Sequence, residues 1–102
     1  MRSSQIQRVF DVGRTLQAKR VILFVAPGSG GLAVVASRRV GGAVERNRAR
    51  RILRAAWREA GPRSGGACDV VLVAREAIRG AKTRDLVADM TELLRRGELV
   101  FA

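Results

Sequence analysis

The 102-residue sequence contains no histidine, no tyrosine and only one cysteine, Cys68. Histidine is the commonest general base, so its absence removes the usual partner for acid–base and nucleophilic catalysis. A single cysteine excludes an internal disulfide and a cysteine-based zinc cluster, and we expect Cys68 to be a small buried hydrophobe. The nine carboxylates are scattered along the chain, without the close pairing that a metal site requires. We therefore expect no self-contained catalytic or metal site in the protein.

Long apolar runs are also missing. No stretch approaches the roughly 20 apolar residues of a membrane span, and the first ten residues, MRSSQIQRVF, lack the apolar core of a signal peptide. We therefore expect a cytoplasmic protein with no membrane span. A chain of this length predicts one domain over residues 1–102, which removes roughly two thirds of its unfolded surface from water.

Positive charge is what the sequence has in excess. It contains 20 lysines and arginines against nine acidic residues, for a net charge of +11, and only Lys19 and Lys82 are lysines. The arginine fork pairs bidentately with phosphate and keeps its proton near neutral pH. The balance favours nucleic acid, or an anionic membrane surface, as the partner. On residue chemistry alone, the alternative is a solvated polar face in a chain with a coding bias towards arginine.

Cation density peaks in the run from Ser37 to Glu59, SRRVGGAVERNRARRILRAAWRE. Its periodicity predicts a helix from about Ala43 to Ala60, ended by Gly61-Pro62. The preceding Gly41 and Gly42 predict a sharp turn that leaves the first helical amides open to a phosphate. At about 100° per residue the helix has an apolar stripe and, nearly opposite, a basic stripe. The apolar stripe is Ala49, Ile52, Leu53, Ala56 and Trp57, and the basic stripe is Asn47, Arg50, Arg51, Arg54 and Arg58.

The segments before this helix predict one helix and three strands. Ser4 to Val12 reads as a helix, with Ser4 and Gln7 as a capping box and Gly13 as its stop. Gly13 to Arg20 predicts a short edge strand. Two apolar runs predict a β-hairpin: Val21 to Ala26 and Leu32 to Ser37, joined by the tip Pro27 to Gly31.

The segments after the helix predict one more strand and one more helix. A glycine-rich loop, Arg63 to Ala67, leads to Asp69 to Arg75, DVVLVAR, which is apolar and β-branched and should be central in the sheet. Thr83 is the expected cap of a last helix that ends before Gly97, and the apolar tail Leu99 to Ala102 is expected to dock. The order helix, three strands, helix, strand, helix predicts an α+β two-layer sandwich.

The run from Ser37 to Arg54 resembles the signature of the bacterial ribonuclease P protein component. The hallmark is Arg46-Asn47-Arg48, followed by the pair Arg50-Arg51 and by Arg54, and the flanking segments agree with that family's layout over nearly the whole chain. The resemblance implies a left-handed β–α–β crossover around the arginine helix, against the usual right-handed rule. It also implies a protein subunit of ribonuclease P, which assists endonucleolytic removal of the 5′ leader from precursor tRNA. In that family the hydrolysis belongs to an RNA subunit with bound Mg²⁺, and no small-molecule substrate is involved.

The resemblance assigns two groups of polar residues and one apolar group. The leader set corresponds to positions beside the single-stranded 5′ leader, and the RNA-subunit set to positions that contact the catalytic RNA. The cleft floor corresponds to apolar and aromatic side chains under the leader, for which plain core packing is the alternative, and Ile6 stands where the family often has an aromatic. The leader set is Arg46, Asn47, Arg50 and Arg54, the RNA-subunit set is Arg38, Arg39, Arg48 and Arg51, and the cleft floor is Ile6, Phe10 and Phe24.

Two other functions fit a basic helix of this kind. One is a non-catalytic RNA chaperone or ribosomal protein that uses the same helix on ribosomal RNA. The other, which the sequence supports less, is an architectural DNA-binding protein. The Arg46-Asn47-Arg48 triplet in its full context favours the ribonuclease P subunit over both.

Overall fold

The computed structural model describes residues 1–60 and 68–97, which form three α-helices, four strands and one 3₁₀ turn. The predicted stop at Gly61-Pro62, the loop from Arg63 to Ala67 and the tail from Leu99 to Ala102 lie outside the described residues. In chain order the elements are α1 (Ser3–Val12), β1 (Arg14–Gln17), β2 (Val21–Pro27), β3 (Leu32–Val35), α2 (Ala43–Ala60), β4 (Cys68–Ala74), the 3₁₀ turn (Glu76–Ile78) and α3 (Thr83–Arg96).

The four strands form one mixed sheet in the order β1-β2-β4-β3. β4 is central, as its β-branched composition predicts, and pairs antiparallel with β2 and parallel with β3. β1 is the predicted edge strand and pairs with β2. The β3–α2–β4 segment is the β–α–β unit around the arginine helix. The α+β prediction is confirmed.

The predicted hairpin between β2 and β3 is wrong, because β4 lies between these two strands. The loop that joins them crosses the start of β4, where the buried carboxylate of Asp69 holds it. Asp69 Oδ1 accepts hydrogen bonds from the backbone N–H of Gly31 at 2.8 Å and of Ser29 at 3.2 Å. A β-carbon added to Gly28 would fall 2.2 Å from Asp69 Cγ, so the loop needs glycine at this position. The loop is therefore a strap over β4 rather than a hairpin tip.

Alternate residues of the strands face two separate apolar clusters. On one side of the sheet, Leu23 and Leu72 pack with the apolar stripe of α2 and the inner face of α3, and this is the main core. On the other side, which we call the α1 face, α1 packs through Val9 against Ala26 and Val71. The helices α2 and α3, which hold nine of the 18 arginines, thus lie in one layer and α1 lies in the other.

Two predicted helix caps are off by one or more residues. α1 begins after Arg2, whose N–H donates to the Gln5 side chain, so Ser4 and Gln7 do not form the capping box. α3 begins after Lys82, whose N–H donates to Asp85 at 2.9 Å, so Thr83 is not the cap. In both helices the backbone N–H before the first turn donates to a side chain three residues later, Gln5 in α1 and Asp85 in α3. Short polar residues such as Ser4 and Thr83 do not by themselves show which residue precedes the first turn. The predicted stops at Gly13 and Gly97 are confirmed, because both N–H groups bond back into their helices.

Candidate nucleic-acid interface

The basic stripe of α2 faces away from the core. Ala49, Ile52, Leu53 and Ala56 are buried against the sheet and α3, which turns the arginines opposite them outwards. Within the described residues, no arginine of α2 forms an ion pair with a carboxylate. A surface helix usually alternates charge sign, so this run of unneutralised guanidinium groups is suited to an external polyanion.

The arginines on the two flanks of α2 have different surroundings. Arg48 lies on the flank next to α3, where its Nη2 donates to the carbonyl oxygen of Ala81 at 2.6 Å. Arg46 and Arg50 lie on the other flank, and the Arg50 guanidinium donates to the Asn47 side chain. α2 packs on β3 and β4 whereas α3 packs on β2, so this second flank points towards the β3 edge of the sheet. The helix separates Arg48 from most of the leader set, as the periodicity predicts.

The start of α2 carries its own anion. Gly41 has a φ of +139°, which favours glycine, and the Glu45 side chain folds back over Gly41 and Gly42. A β-carbon added to Gly42 would come within 3.2 Å of Glu45 Oε2. The Glu45 carboxylate therefore stands where the sequence predicts a phosphate, and its charge disfavours a second anion at that point.

The three residues of the cleft floor meet on the α1 face. The rings of Phe10 and Phe24 are in edge-to-face contact, with centroids 4.8 Å apart and an interplanar angle of 80°. Ile6 packs on the same cluster one turn earlier in α1. All three side chains are only half-buried, so the cluster is both a small core and an accessible apolar surface. The structure brings these residues together and places them in the layer opposite α2.

The α1 face continues beyond the aromatic pair towards a second group of arginines. Ile22 lies on the same face as Phe24, two residues away, and Val73 is paired with it across the strands. A cavity of about 320 Å³ opens over Ile22 and Val73, with Arg39 and Arg75 on its lining. Arg75 is held there by a 3.0 Å hydrogen bond to the Ala18 carbonyl oxygen.

Two findings about this cavity add to the sequence-based assignment. Arg39, placed by the resemblance in the RNA-subunit set, borders the α1 face that carries the cleft floor. The sequence-based sets do not include Arg75, and the sequence offers only one sign of its role, its position at the end of the most apolar strand. Arg38 and Arg51 are exposed, as expected for residues that contact a partner.

In the described part of the chain, no three acidic or cysteine side chains come together in a group that could hold a metal ion. No helix there has both the length and the apolarity to cross a bilayer.

The fold and the interface define a basic α+β protein of the nucleic-acid-binding class. Residues 1–98 match the ribonuclease P family. The chain is 42% identical over 103 residues to the ribonuclease P protein component of Chloroflexus aurantiacus, with 97% of this chain and 76% of that protein covered. It is 32% identical over 102 residues to the ribonuclease P protein component of Dehalococcoides mccartyi, with 97% and 83% covered.

Solved structures share the fold at low sequence identity. The RNase P protein of Staphylococcus aureus superimposes with a TM-score of 0.81 at 19% identity, over 100% of this chain and 95% of that one. The RNase P protein of Thermotoga maritima gives 0.74 at 20% identity, over 94% of each chain. The chain therefore belongs to the bacterial ribonuclease P protein family, as its arginine signature indicates. Its role is that of a protein subunit of ribonuclease P, an endoribonuclease of tRNA processing.

Proposed function

We propose that the chain binds two RNA surfaces within ribonuclease P, namely the catalytic RNA and the 5′ leader of precursor tRNA. The observation that carries this proposal is the division of the molecule into two layers. A half-open aromatic surface lies on the α1 face, and an arginine helix without carboxylate partners among the described residues lies behind the sheet. One surface suits a single strand and the other suits a structured polyanion.

The leader is the natural ligand of the α1 face. Bases stack on aromatic rings with little dependence on sequence, which suits a leader that differs from one tRNA to the next. Phe10 and Phe24 supply the rings, and Arg39 and Arg75 stand further along the same face, where they can pair with phosphates. In the leader set, Arg46 and Arg50 contact the leader RNA from the β3 edge of the sheet. Asn47 and Arg54 extend that contact along the outer side of α2.

The catalytic RNA is assigned to Arg51 on the exposed side of α2, to the flank next to α3 and to the turn before α2. Arg51 is exposed on α2, Arg38 is exposed in the turn before α2, and Arg48 is held at the flank by its bond to Ala81. Guanidinium groups pair bidentately with phosphate, and several together bind a folded RNA with strong salt dependence. Ionic contacts of this kind also screen the repulsion between the catalytic RNA and the tRNA, which lowers the Mg²⁺ concentration that the complex needs.

Hydrolysis in this proposal belongs to the RNA subunit. The protein supplies no histidine, and its described carboxylates form no group suited to a metal ion. Mg²⁺ would then be held mainly by RNA phosphates, and the chemistry that it would supply there is activation of water and stabilisation of the leaving oxygen. The chain itself binds and orients the RNA, and it would do so in the bacterial cytoplasm, where precursor tRNA is made.

The test compares two ligands in one reconstituted complex. The pure chain is assembled with a bacterial ribonuclease P RNA, and dissociation constants are measured for a precursor tRNA and for the same tRNA without its leader. We expect the protein to tighten binding of the precursor at least tenfold more than binding of the mature tRNA. Equal tightening of both would contradict the leader assignment. Stable binding to ribosomal subunits, with none to ribonuclease P RNA, would favour the ribosomal alternative.

A further inference from the structure

A second cavity, of about 420 Å³, lies on the flank of α2 that faces the segment before α3. Its floor is apolar and consists of Val40, Ala49 and Ile78, each of them buried. Its rim is charged, with Arg48 and Arg79 as cations and Glu45 as the anion. The volume falls in the range of small-ligand pockets. It is separate from the aromatic pair, because it lies on the α2 side of the sheet.

We propose that this cavity takes the base of one unpaired guanosine of the partner RNA. The proposal rests on the proposed RNA-binding function and extends it to a specific nucleotide. Bases that are splayed out of RNA loops are recognised by packing against a protein surface and by hydrogen bonds to their edges. The three buried apolar residues provide that surface, and a base that enters the cavity leaves its ribose and phosphate at the rim.

The two arginines supply the contacts for the phosphate. Arg48 is already oriented, since its bond to Ala81 fixes the guanidinium at the wall while leaving other N–H donors free. Arg79 is exposed and also lines the cavity, and no side chain among the described residues pairs with it. A phosphate of the partner RNA can pair with both guanidinium groups, for which the chain itself supplies no carboxylate partner among the described residues.

Glu45 determines which base fits. A carboxylate has only acceptor oxygens, and it repels phosphate, so a nucleotide that meets Glu45 has to offer it hydrogen-bond donors from the base. Guanine presents two adjacent donors on its Watson–Crick edge, N1–H and the N2 amino group, which match the two carboxylate oxygens. Adenine and uracil present one donor each beside an acceptor that the carboxylate would repel. The Glu45 side chain is folded back over Gly41 and Gly42, which holds it at the cavity.

Gly80 is a lining position of the cavity at which a side chain can be added. It lines the cavity, has a φ of +77°, and a β-carbon added to it would meet no atom within 4 Å. Asparagine tolerates positive φ better than most residues, so Gly80→Asn should place a side chain at the cavity with limited strain. Gly30→Asn is the matched control, because Gly30 has a φ of 96° in the strap, away from the cavity.

The direct test is an NMR titration of the full-length, ¹⁵N-labelled chain with GMP and with AMP at constant ionic strength. We expect GMP to shift the amides of Ile78, Gly80 and Ala81 saturably, with an affinity at least tenfold above that of AMP. Glu45→Gln should remove the preference for GMP. Gly80→Asn should abolish the shifts at Ile78 and Ala81, whereas Gly30→Asn should keep them. Equal shifts with both nucleotides, or none with GMP, would overturn the proposal.

A second test separates this proposal from the proposed function. In the reconstituted complex, Gly80→Asn and Arg79→Gln should each weaken binding to ribonuclease P RNA about tenfold, with no change in the preference for precursor over mature tRNA. The control Arg84→Gln, an exposed arginine on α3, should bind normally. If both cavity variants assemble like wild type, the cavity proposal is wrong and the proposed function stands. If the wild-type chain fails to bind ribonuclease P RNA, the proposed function itself is wrong.

Discussion

The guanidinium of Arg48 donates a 2.6 Å hydrogen bond to the carbonyl oxygen of Ala81, on the flank of α2 that faces α3. Arg50, two residues later, lies on the other flank and bonds to Asn47. One helical signature thus presents guanidinium groups in two directions, towards the cavity beside α3 and towards the β3 edge. This divergence is the structural basis for expecting two separate RNA contacts.

Arg50→Ala and Arg54→Ala should weaken binding of precursor tRNA much more than binding of mature tRNA. Each lost phosphate contact should also lower the slope of log K against log salt by roughly one. Arg48→Ala should instead weaken assembly with the catalytic RNA and keep most of the preference for the leader. Titrations of each variant complex with both tRNAs at two salt concentrations test this, and equal losses for both tRNAs from Arg50→Ala would contradict it.

Arg48→Ala should also lower the free energy of unfolding, by about 1–2 kcal/mol, because it removes a charged hydrogen bond and leaves the Ala81 carbonyl without that donor. Arg51→Ala is the matched control, since Arg51 is exposed and has no hydrogen-bond partner within the described residues. Urea unfolding of the free protein measures both. A loss of stability in Arg51→Ala equal to that in Arg48→Ala would show that the bond to Ala81 contributes nothing.

Phe10→Leu should weaken binding of the leader roughly five- to tenfold, because it removes a ring on which a base can stack while keeping an apolar side chain. Phe24→Leu should do the same, and the two losses should not add if the edge-to-face pair acts as one platform. Val12→Leu serves as the control, because Val12 is exposed on α1, the helix that also carries Phe10. Fluorescence titration with a short single-stranded leader oligonucleotide on the assembled complex gives the comparison, and unchanged affinity in both Phe variants would contradict the cleft assignment.

Asp69→Ala should destabilise the fold by about 2–4 kcal/mol, since two strap amides lose a charged acceptor in a place that water reaches poorly. Asp69→Asn should cost less, because its amide oxygen can still accept from Gly31. Asp11→Ala removes an exposed carboxylate that bonds to Gln7, and it should change stability by less than about 0.5 kcal/mol. Denaturant midpoints of the three variants decide the matter, and equal midpoints for Asp69→Ala and Asp11→Ala would show that the strap does not depend on Asp69.

Acid should weaken α3 through two carboxylates. The Lys82 backbone N–H lowers the pKa of Asp85, and the hydrogen bond from Arg95 lowers the pKa of Glu92. A folded-state pKa below the unfolded value gives stability that is present above the unfolded pKa and lost as pH falls through the folded one. The contribution should therefore be constant near neutral pH and disappear below the ordinary carboxyl range. Thermal melts between pH 7 and pH 3 should show Asp85→Asn less stable than wild type at pH 7, with the gap closing in acid.

The local structure was largely predictable from the sequence, but the strand partners were not. α2 begins where its periodicity indicates, and the β-branched composition of β4 correctly predicts a central strand. The hairpin prediction failed because an apolar run with a glycine-rich tip looks the same whether its strands pair together or receive a third strand between them. The decisive residue is Asp69, whose carboxylate secures the strap across β4. Its position at the start of an apolar strand did not reveal that role.

The candidate interface was also predictable only in part, because some of its contacts join residues that are far apart in the sequence. Helical periodicity placed Arg48 apart from Arg50, because spacing fixes direction on a helix. The neighbours of Arg39 and Arg75 depend on how the strand ends meet across the sheet, which spacing along the chain does not encode. The cavity between Glu45 and Gly80 also joins residues far apart in sequence, so only the folded chain shows it.

Cleavage of precursor tRNA at low Mg²⁺ tests the central claim most directly, with three samples: ribonuclease P RNA alone, rigorously RNA-free protein alone, and the two together. Our account predicts little cleavage by the RNA alone, none by the protein alone, and efficient release of the 5′ leader by the mixture. Cleavage by the protein alone, or a mixture no more active than the RNA alone, would contradict it.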